Sequence, residues 1–568
     1  MKIKSMEIAR LYELAKPYKR MYLLGVLFTI ALYGITFAIP IQIKNFIDTG
    51  LSSDSMSVII PIVGMIVALK ILVQVFNIGM YYYFTVFESI FTRNTQTTVL
   101  SHIMGVEFSK LKSFDSGDVI SRINDDIKSI ERFMAVELSE LIKNYAVVVM
   151  GIGVLLYLSI PLTIAALPLI ILVPFCMDLI KRKVRSANDV IRYSNGKVVS
   201  TIEQILSGLY IIRAHSYEGL FLREYTAHAN SIIHNRKKMA LYQGLSGAIA
   251  EIVIALIMFG VVFGYGGYLV FHGKFTTGGI VAYYTYIGML LGPVVSIFKT
   301  KLTVQRAMSS LKRINELLNL NTIDAINRDV AHTNINQDIA RIEFKDVTFH
   351  YATTPVLDGI NLVFNRGEKV ALVGSNGSGK STLISLLIGI EANYSGRIEI
   401  DGHDIRGVDN LSEIISVVPQ DAYLFTKSVS DNLTLGLEER EEAIIQQIEW
   451  LNLNFIKNID VQLSDRGSSL SGGERQKLCV ARALIRDTPV IILDEISNNL
   501  DARSEKNIYS LINTEYSQNT IIVATHRLEV LKDFDRIYVL KQGKIVEHGS
   551  YDQLLESRNV FYDMLNSI

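Results

Sequence analysis

The sequence is poor in several things, and each shortage excludes something. It has only two cysteines in 568 residues, Cys176 and Cys479, far apart in apolar or helical surroundings. That rules out a disulfide scaffold, and without metal-ligand spacing each reads as a small buried hydrophobe. It has no excess of either charge, with 56 Lys+Arg against 56 Asp+Glu. A nucleic-acid partner usually calls for a basic excess, so none is expected. Charged residues are scarce at 20% while hydrophobic ones reach 49%, a balance that excludes disorder and departs from that of soluble globular domains. After residue 341 no run is long and apolar enough to span a membrane.

The apolar excess lies instead in the first 300 residues. Six runs, at about 21–46, 57–84, 138–159, 161–181, 244–272 and 276–298, each reach the ~20 residues that cross a hydrocarbon core as a helix. The first follows Lys16, Lys19 and Arg20, is too long for a signal-peptide core and has no small-residue cleavage site, so it reads as a retained span. With only about 20 residues before it, no leader-trimming protease is expected ahead of the first span. The connections 47–56 and 157–163 carry no Lys or Arg, and the loop near 272–276 has only Lys274. The long connections 85–137 and 181–243 are basic, which places them, and both chain ends, on the cytoplasmic side.

Each long connection holds helical patterns around a turn: Phe114-Asp115-Ser116-Gly117-Asp118 in one, His215-Ser216-Tyr217-Glu218-Gly219 in the other. Arms of ~25–30 residues would project ~40 Å at 1.5 Å per residue. They read as transmission rods or as plain solvated hairpins. Polar groups inside spans are costly and often face a cavity. Lys70 and Gln74 share a helix face in the second run, and Glu251 lies in the fifth. They are candidates for a cargo cavity, equally for a structural ion pair or snorkelling. Tyr81 to Tyr83 and Tyr283, Tyr284 and Tyr286 could pack, line a cavity or form an interfacial belt.

Residues 302–320 remain helical, and 321–340 form a polar linker. Then the period changes. Ile342–Phe349 alternates as a strand, and 370–373, 490–493 and 520–525 are short buried-strand runs separated by helical patterns. This implies an α/β domain with a mostly parallel sheet. Val370–Val373 leads into Gly374-Ser375-Asn376-Gly377-Ser378-Gly379-Lys380-Ser381-Thr382 and an apolar helix. Strand, G-x-x-x-x-G-K-S and helix make a polyphosphate cradle: glycines turn N–H groups inward, Lys380 neutralises phosphate oxygens, and the Ser381 hydroxyl is a Mg²⁺ ligand. Val490–Leu493 delivers Asp494 and Glu495, the first placed to hold Mg²⁺ through water and the second to act as general base. His526 follows the next strand, in reach of a γ-phosphate.

Leu470-Ser471-Gly472-Gly473-Glu474-Arg475-Gln476 resembles the signature loop of ATP-binding cassette (ABC) transporters, a second phosphate-binding nest at a helix start. The resemblance covers the whole chain: six spans and one cassette, as in half-size ABC exporters. It implies an all-α membrane domain over 1–320 with cytoplasmic helical extensions, and an α/β P-loop ATPase cassette with a helical subdomain over 341–568. It implies ATP and Mg²⁺ as cofactors and an ATP hydrolase coupled to transport. It implies that residues 470–474 act on ATP held by the other copy of the cassette.

It assigns Tyr351 to stacking on adenine, Gln420 to Mg²⁺ and the attacking water, and Asp465-Arg466-Gly467 to sensing the membrane domain. Ser497 to Asp501 would cross the cassette interface. Asp115, Ser116 and Gly117, and His215, Tyr217 and Glu218, would mark coupling helices, the second docking on the partner's cassette. Two departures stand out. Asn498 and Asn499 replace the family's small residues, and the segment between Asn432 and the signature is short, with Asn458-Ile459-Asp460-Val461 where a glycine-containing loop is usual. Glu495, His526 and an intact signature in one chain imply two competent sites in a homodimer, with a heterodimer as the other option. The expected function is export of an amphipathic small molecule, peptide or lipid across a bacterial inner membrane. A metal–siderophore importer and an ATP-gated regulator without cargo are the alternatives.

Overall fold

The computed structural model describes all residues except 1–15, 54, 179, 328–329, 331, 352–353, 438–440, 465–466 and 567–568. The chain divides into two compact units, one of residues 1–99 and 119–316, the other of 100–118 and 317–568.

Among the described residues, six helices are long and apolar enough to cross a membrane: Lys16–Gly50, Met56–Met104, Ser116–Leu158, Ile160–Ser207, Glu218–Phe271 and Thr277–Ile297. Several run well past the apolar stretches, because helical hydrogen bonding continues where the lipid-facing composition ends. Inside the first unit, packing centres on fully buried Tyr283 and Tyr286. A buried phenol needs a partner. The Tyr283 hydroxyl donates to Thr163 Oγ1 at 2.9 Å, and Tyr286 donates to the Phe37 carbonyl while stacking on the Phe37 ring. Tyr81 and Tyr82 point outward, whereas Tyr83 donates to the Met21 carbonyl at 2.7 Å. Lower down, Arg122 pairs with Glu316 at 2.8 Å, and Asp126 accepts from Ser310 and pairs with Arg313.

Among the described residues, the second unit has ten strands: β1 (Arg341–His350), β2 (Pro355–Asn365), β3 (Lys369–Val373), β4 (Ser395–Ile400), β5 (His403–Asp404), β6 (Ile415–Val418), β7 (Val490–Asp494), β8 (Thr520–Thr525), β9 (Arg536–Lys541) and β10 (Lys544–Gly549). They form a six-stranded sheet in the order β10-β9-β3-β8-β7-β6 and a four-stranded sheet in the order β2-β1-β4-β5. All pairs of the first are parallel except β10 with β9. Strand alternation explains its two cores. Ala371, Val373, Ile491, Leu493, Ile521 and Val523 enter one, and Val370, Leu372, Val490, Ile492, Ile522 and Ala524 enter the other. Here the structure departs from the sequence reading: the Ile342–Phe349 strand lies in the separate antiparallel sheet, not in the parallel one. Its neighbours are fixed by distant pairing that alternation cannot report.

Residues 100–118 belong to this second unit through a reciprocal clasp. Glu107 begins the short helix Phe108–Lys112 and accepts the Ala392 and Asn393 amides at 3.1 and 3.0 Å. Glu391 answers by accepting the Ser109 amide and hydroxyl at 2.8 and 2.7 Å. Both carboxyls are buried. Burial pushes the Glu391 carboxyl above its usual range, against the downward pull of the two Ser109 bonds.

In the first unit, a Cβ on Gly151 would lie 2.4 Å from Leu290 Cδ2 and 2.9 Å from its Cγ. Leu290 is itself buried and has little room to yield. Gly151→Val should therefore destabilise the membrane unit by about 1–3 kcal/mol. Thermal unfolding in lipid nanodiscs checks this; an unchanged transition would contradict the packing.

Candidate functional site

The carboxyl ends of three neighbouring parallel strands meet at one edge. Val373 of β3 sits beside Thr525 of β8, and Asp494 of β7 beside Ala524. Such an edge is where open α/β sheets bind ligands. The loops leaving it enclose a cleft of about 690 Å³ lined by Val356, residues 376–382, Gln420, Glu495 and His526.

The loop after β3 depends on glycine. Gly379, at φ +108°, caps the helix Lys380–Leu387, and a Cβ there would lie 2.7 Å from Leu357 Cδ2. Any side chain at Gly374 would meet the Leu540 carbonyl at 2.4 Å. The turn brings Lys380 inside, 4% exposed. Its ammonium donates to the Gly374 carbonyl at 2.8 Å and pairs with Glu495 at 3.4 Å. Ser378 is also buried, and its hydroxyl has no protein hydrogen bond. A buried donor without a partner at a helix N-terminus suits a phosphate oxygen.

The acids sit opposite. The Ser381 hydroxyl donates to Asp494 Oδ1 at 3.4 Å. Burial, with Glu495 adjacent, pushes the Asp494 carboxyl up to about 6 despite Ser381 and Lys380. Glu495 holds a left-handed backbone, φ +46°, tied by its amide to the Ala524 carbonyl. Such strain in a non-glycine residue persists only where surroundings enforce it. Gln420 Nε2 donates to Glu495 Oε2 at 2.8 Å. His526 is exposed at the rim of the cleft. Tyr351, 48% exposed, stands edge-on to Phe349 with its hydroxyl 3.4 Å from Thr382 Oγ1.

The signature segment is elsewhere. Ser471 caps the helix Gly472–Ile485 in a capping box with Glu474, whose carboxyl those Ser471 hydrogen bonds hold below its usual range. Asn499 presses on the glycines: a Cβ on Gly473 would lie 3.0 Å from its carbonyl, and one on Gly472 would lie 3.5 Å from its Oδ1. Leu470 accepts from Arg475 at 2.9 Å. None of residues 470–474 lines the cleft. Asp501 caps the helix Ala502–Thr514 through the Ser504 amide at 2.7 Å, and Ser497 is buried. Asp465 and Arg466 fall outside the described residues.

The hairpin residues lie at turns. Asp115 accepts the Asp118 amide beside Ser116 and Gly117, at the start of the returning helix. His215 stacks on Tyr217, and Glu218 opens the helix Glu218–Ala255. Just upstream of each turn lies a short helix, Phe108–Lys112 and Leu209–Ala214. Sequence reasoning missed these, since one or two helical turns are too short for a periodic stripe. Glu107, which could have been noticed as an acid opening such a helix, was also missed. Lys70, Gln74 and Glu251 are exposed in the single chain.

A carboxyl raised above its unfolded value stabilises the fold below that value, and the contribution is lost as pH rises through the folded one. At neutral pH the Asp494 anion is therefore a cost in the nucleotide-free protein. Asp494→Asn should raise the cassette's thermal transition at pH 7.5 by about 2–4 °C and change it little at pH 5. A lower transition at pH 7.5 would contradict this.

Two family descriptions match the chain: "ABC transporter transmembrane region" over residues 22–294 and "ABC transporter" over residues 357–498. An ATP-dependent lipid A-core flippase of Syntrophus aciditrophicus is 31% identical over 457 residues, covering 79% of this chain and 76% of the relative. A Bacillus subtilis ATP-binding/permease protein named for multidrug export is 27% identical over 581 residues, covering 96% and 97%. The fold is similar to that of an ATP-bound bacterial Atm1-family ABC exporter, with a TM-score of 0.79 at 23% identity, covering 96% of this chain and 99% of that one. The phosphate cradle, the paired acids and the six spans thus have one setting in common, and the chain belongs to the ABC transporters whose transmembrane region is fused to one ATP-binding cassette, in their exporter family.

Proposed function

We propose that two copies of this chain form a bacterial inner-membrane exporter, with both termini and the cassettes cytoplasmic, that moves an amphipathic small molecule, peptide or lipid. The observation that carries this reading is the incomplete cleft. One chain supplies the cradle, Asp494, Glu495, Gln420 and His526, yet leaves Ser471 and Gly473 outside. A second cassette facing the first would complete each phosphate site with those groups. Glu495, His526 and an intact signature occur together, which favours identical partners. Relatives named for lipid A-core and for multidrug export support an amphiphilic cargo.

Mg²⁺ fits the donor set. Ser381 Oγ, Asp494 and Gln420 present the oxygens a hard cation takes, and bound nucleotide and water would fill the remaining positions. When bound, the ion neutralises charge on the phosphates. The chain's own groups do the rest. Lys380 and the loop amides hold the polyphosphate. Glu495, once its ammonium partner turns to phosphate, accepts a proton from the attacking water. Gln420 keeps that carboxylate oriented, and His526 faces the γ-phosphate from the rim. Closing of the cassettes on ATP would be transmitted through the segments at Phe108–Lys112 and Leu209–Ala214 to the spans. Lys70, Gln74 and Glu251 are the polar groups offered to cargo.

Glu495→Gln should lower steady-state ATP turnover in nanodiscs at least ~100-fold while ATP still binds; substantial turnover would remove the general-base role. Once a stimulating amphiphile is found by ATPase screening, Lys70→Ala and Glu251→Ala should each shift its half-maximal concentration by about threefold or more. Unchanged stimulation by both variants would take these residues out of the cargo path, and ATP-driven uptake into inside-out vesicles separates export from import.

A further inference from the structure

The two residues assigned above to the attacking water and the γ-phosphate leave the sheet on different loops. Glu495 follows β7 and His526 follows β8. The strands are hydrogen-bonded only up to the pair Asp494 and Ala524, with the Glu495 amide adding one last bond to the Ala524 carbonyl. Beyond that point no ladder fixes one loop against the other. Yet a difference of an ångström between a base and a group facing the same phosphate costs rate heavily.

One side chain bridges the gap. Glu505, in the first turn of the helix Ala502–Thr514, is 3% exposed. Its Oε1 accepts the hydroxyl of Ser497, two residues after Glu495. Its Oε2 pairs with the guanidinium of Arg527, the residue directly after His526. Arg527 is further held by its amide, which donates to Thr525 Oγ1 at 3.0 Å. Glu505 is itself anchored, its amide donating to the Asp501 carbonyl. A buried carboxylate with each oxygen committed to a different loop is a rigid tie, because charge-assisted bonds are short and directional. It is not among the residues that line the cleft.

We infer that Glu505 is a positioning residue for hydrolysis: it holds the Glu495 loop and the His526 loop in mutual register, and so sets turnover without contributing to nucleotide affinity. The tie also reaches the interface loop, since Ser497 opens the segment that runs to Asp501. Displacement of that segment by a facing cassette would then be felt at both hydrolytic residues together.

The inference rests on the roles of Glu495 and His526 proposed above, and the test keeps the two apart. ATP turnover of the full chain in nanodiscs is measured for Glu505→Gln, Glu505→Asp, Arg527→Met and Glu495→Gln, with Mg²⁺ present. Glu505→Gln should lower kcat about tenfold or more with KM for ATP within about threefold, and Glu505→Asp should recover part of the loss. Arg527→Met, at a half-exposed side chain, should lower kcat in the same sense. The double variant Glu505→Gln/Arg527→Met should be no slower than the worse single one, as expected for one shared tie. If Glu505→Gln keeps kcat within about twofold and only melts earlier, the carboxylate is a brace of the fold and the inference fails. Should Glu505→Gln not assemble, Arg527→Met decides by the same criterion. Turnover retained by Glu495→Gln would instead overturn the underlying assignment of the base.

Discussion

A buried ammonium needs an anion beside it. In this chain that requirement falls on Lys380, and it organises the cassette. The glycines at 374 and 379 allow the loop to fold back so tightly that the ammonium sits under it, against the Gly374 carbonyl and Glu495. The same Glu495 is held in a left-handed backbone and hydrogen-bonded by Gln420. In the proposed reading, polyphosphate replaces Glu495 as the partner of Lys380. The carboxylate released by that exchange is the one that must act on water. Binding and activation are then one electrostatic event, and the raised pKa of Asp494 beside it is the stability cost of burying an acid there.

The second unit is more than a nucleotide site, because residues 100–118 fold as part of it. Glu107 and Glu391 each take hydrogen bonds from the opposite segment, so the short helix at 108–112 is fastened by two buried carboxyls rather than by apolar contact alone. His102 reaches the Leu320 carbonyl and Ile323 donates to the Gly105 carbonyl, which draws the connecting segment into the same assembly. The long apolar helix Met56–Met104 continues without a break into this segment. In the first unit the tyrosines divide by depth. Tyr283 and Tyr286 are fully buried while Tyr81 and Tyr82 are exposed, and Lys70, Gln74 and Glu251 are exposed as well.

Much of this was legible in the residues, and the part that was not has a physical reason. The cradle could be read because its chemistry is local: strand, glycines, Lys380 and Ser381 are contiguous, and Asp494 and Glu495 end a buried run. Six spans could be read because hydrocarbon demands composition over a fixed length. Hydropathy alone marks only the apolar stretches; the extensions were legible from the helical patterns of 85–137 and 181–243, because a solvated helix keeps its hydrogen bonds beyond the hydrocarbon. Alternation in Ile342–Phe349 did not say that its partners are β2 and β4. The pairing of Glu107 with the amides of Ala392 and Asn393 joins positions nearly 300 apart in sequence, and no local period carries it. Glu505 escaped notice for the opposite reason. It lies close to the interface loop in sequence, but its use of both oxygens emerges only when β7 and β8 are side by side.

In the proposed reading one chain alone does not hydrolyse ATP, because its cleft lacks the groups at Ser471 and Gly473 that a facing copy brings. Nanodiscs sized and sorted to hold either one or two copies allow it to be measured directly, as ATP turnover per chain at saturating nucleotide. Two-copy discs should turn over steadily, while single-copy discs bind ATP with little hydrolysis. Equal turnover per chain in both would contradict the account.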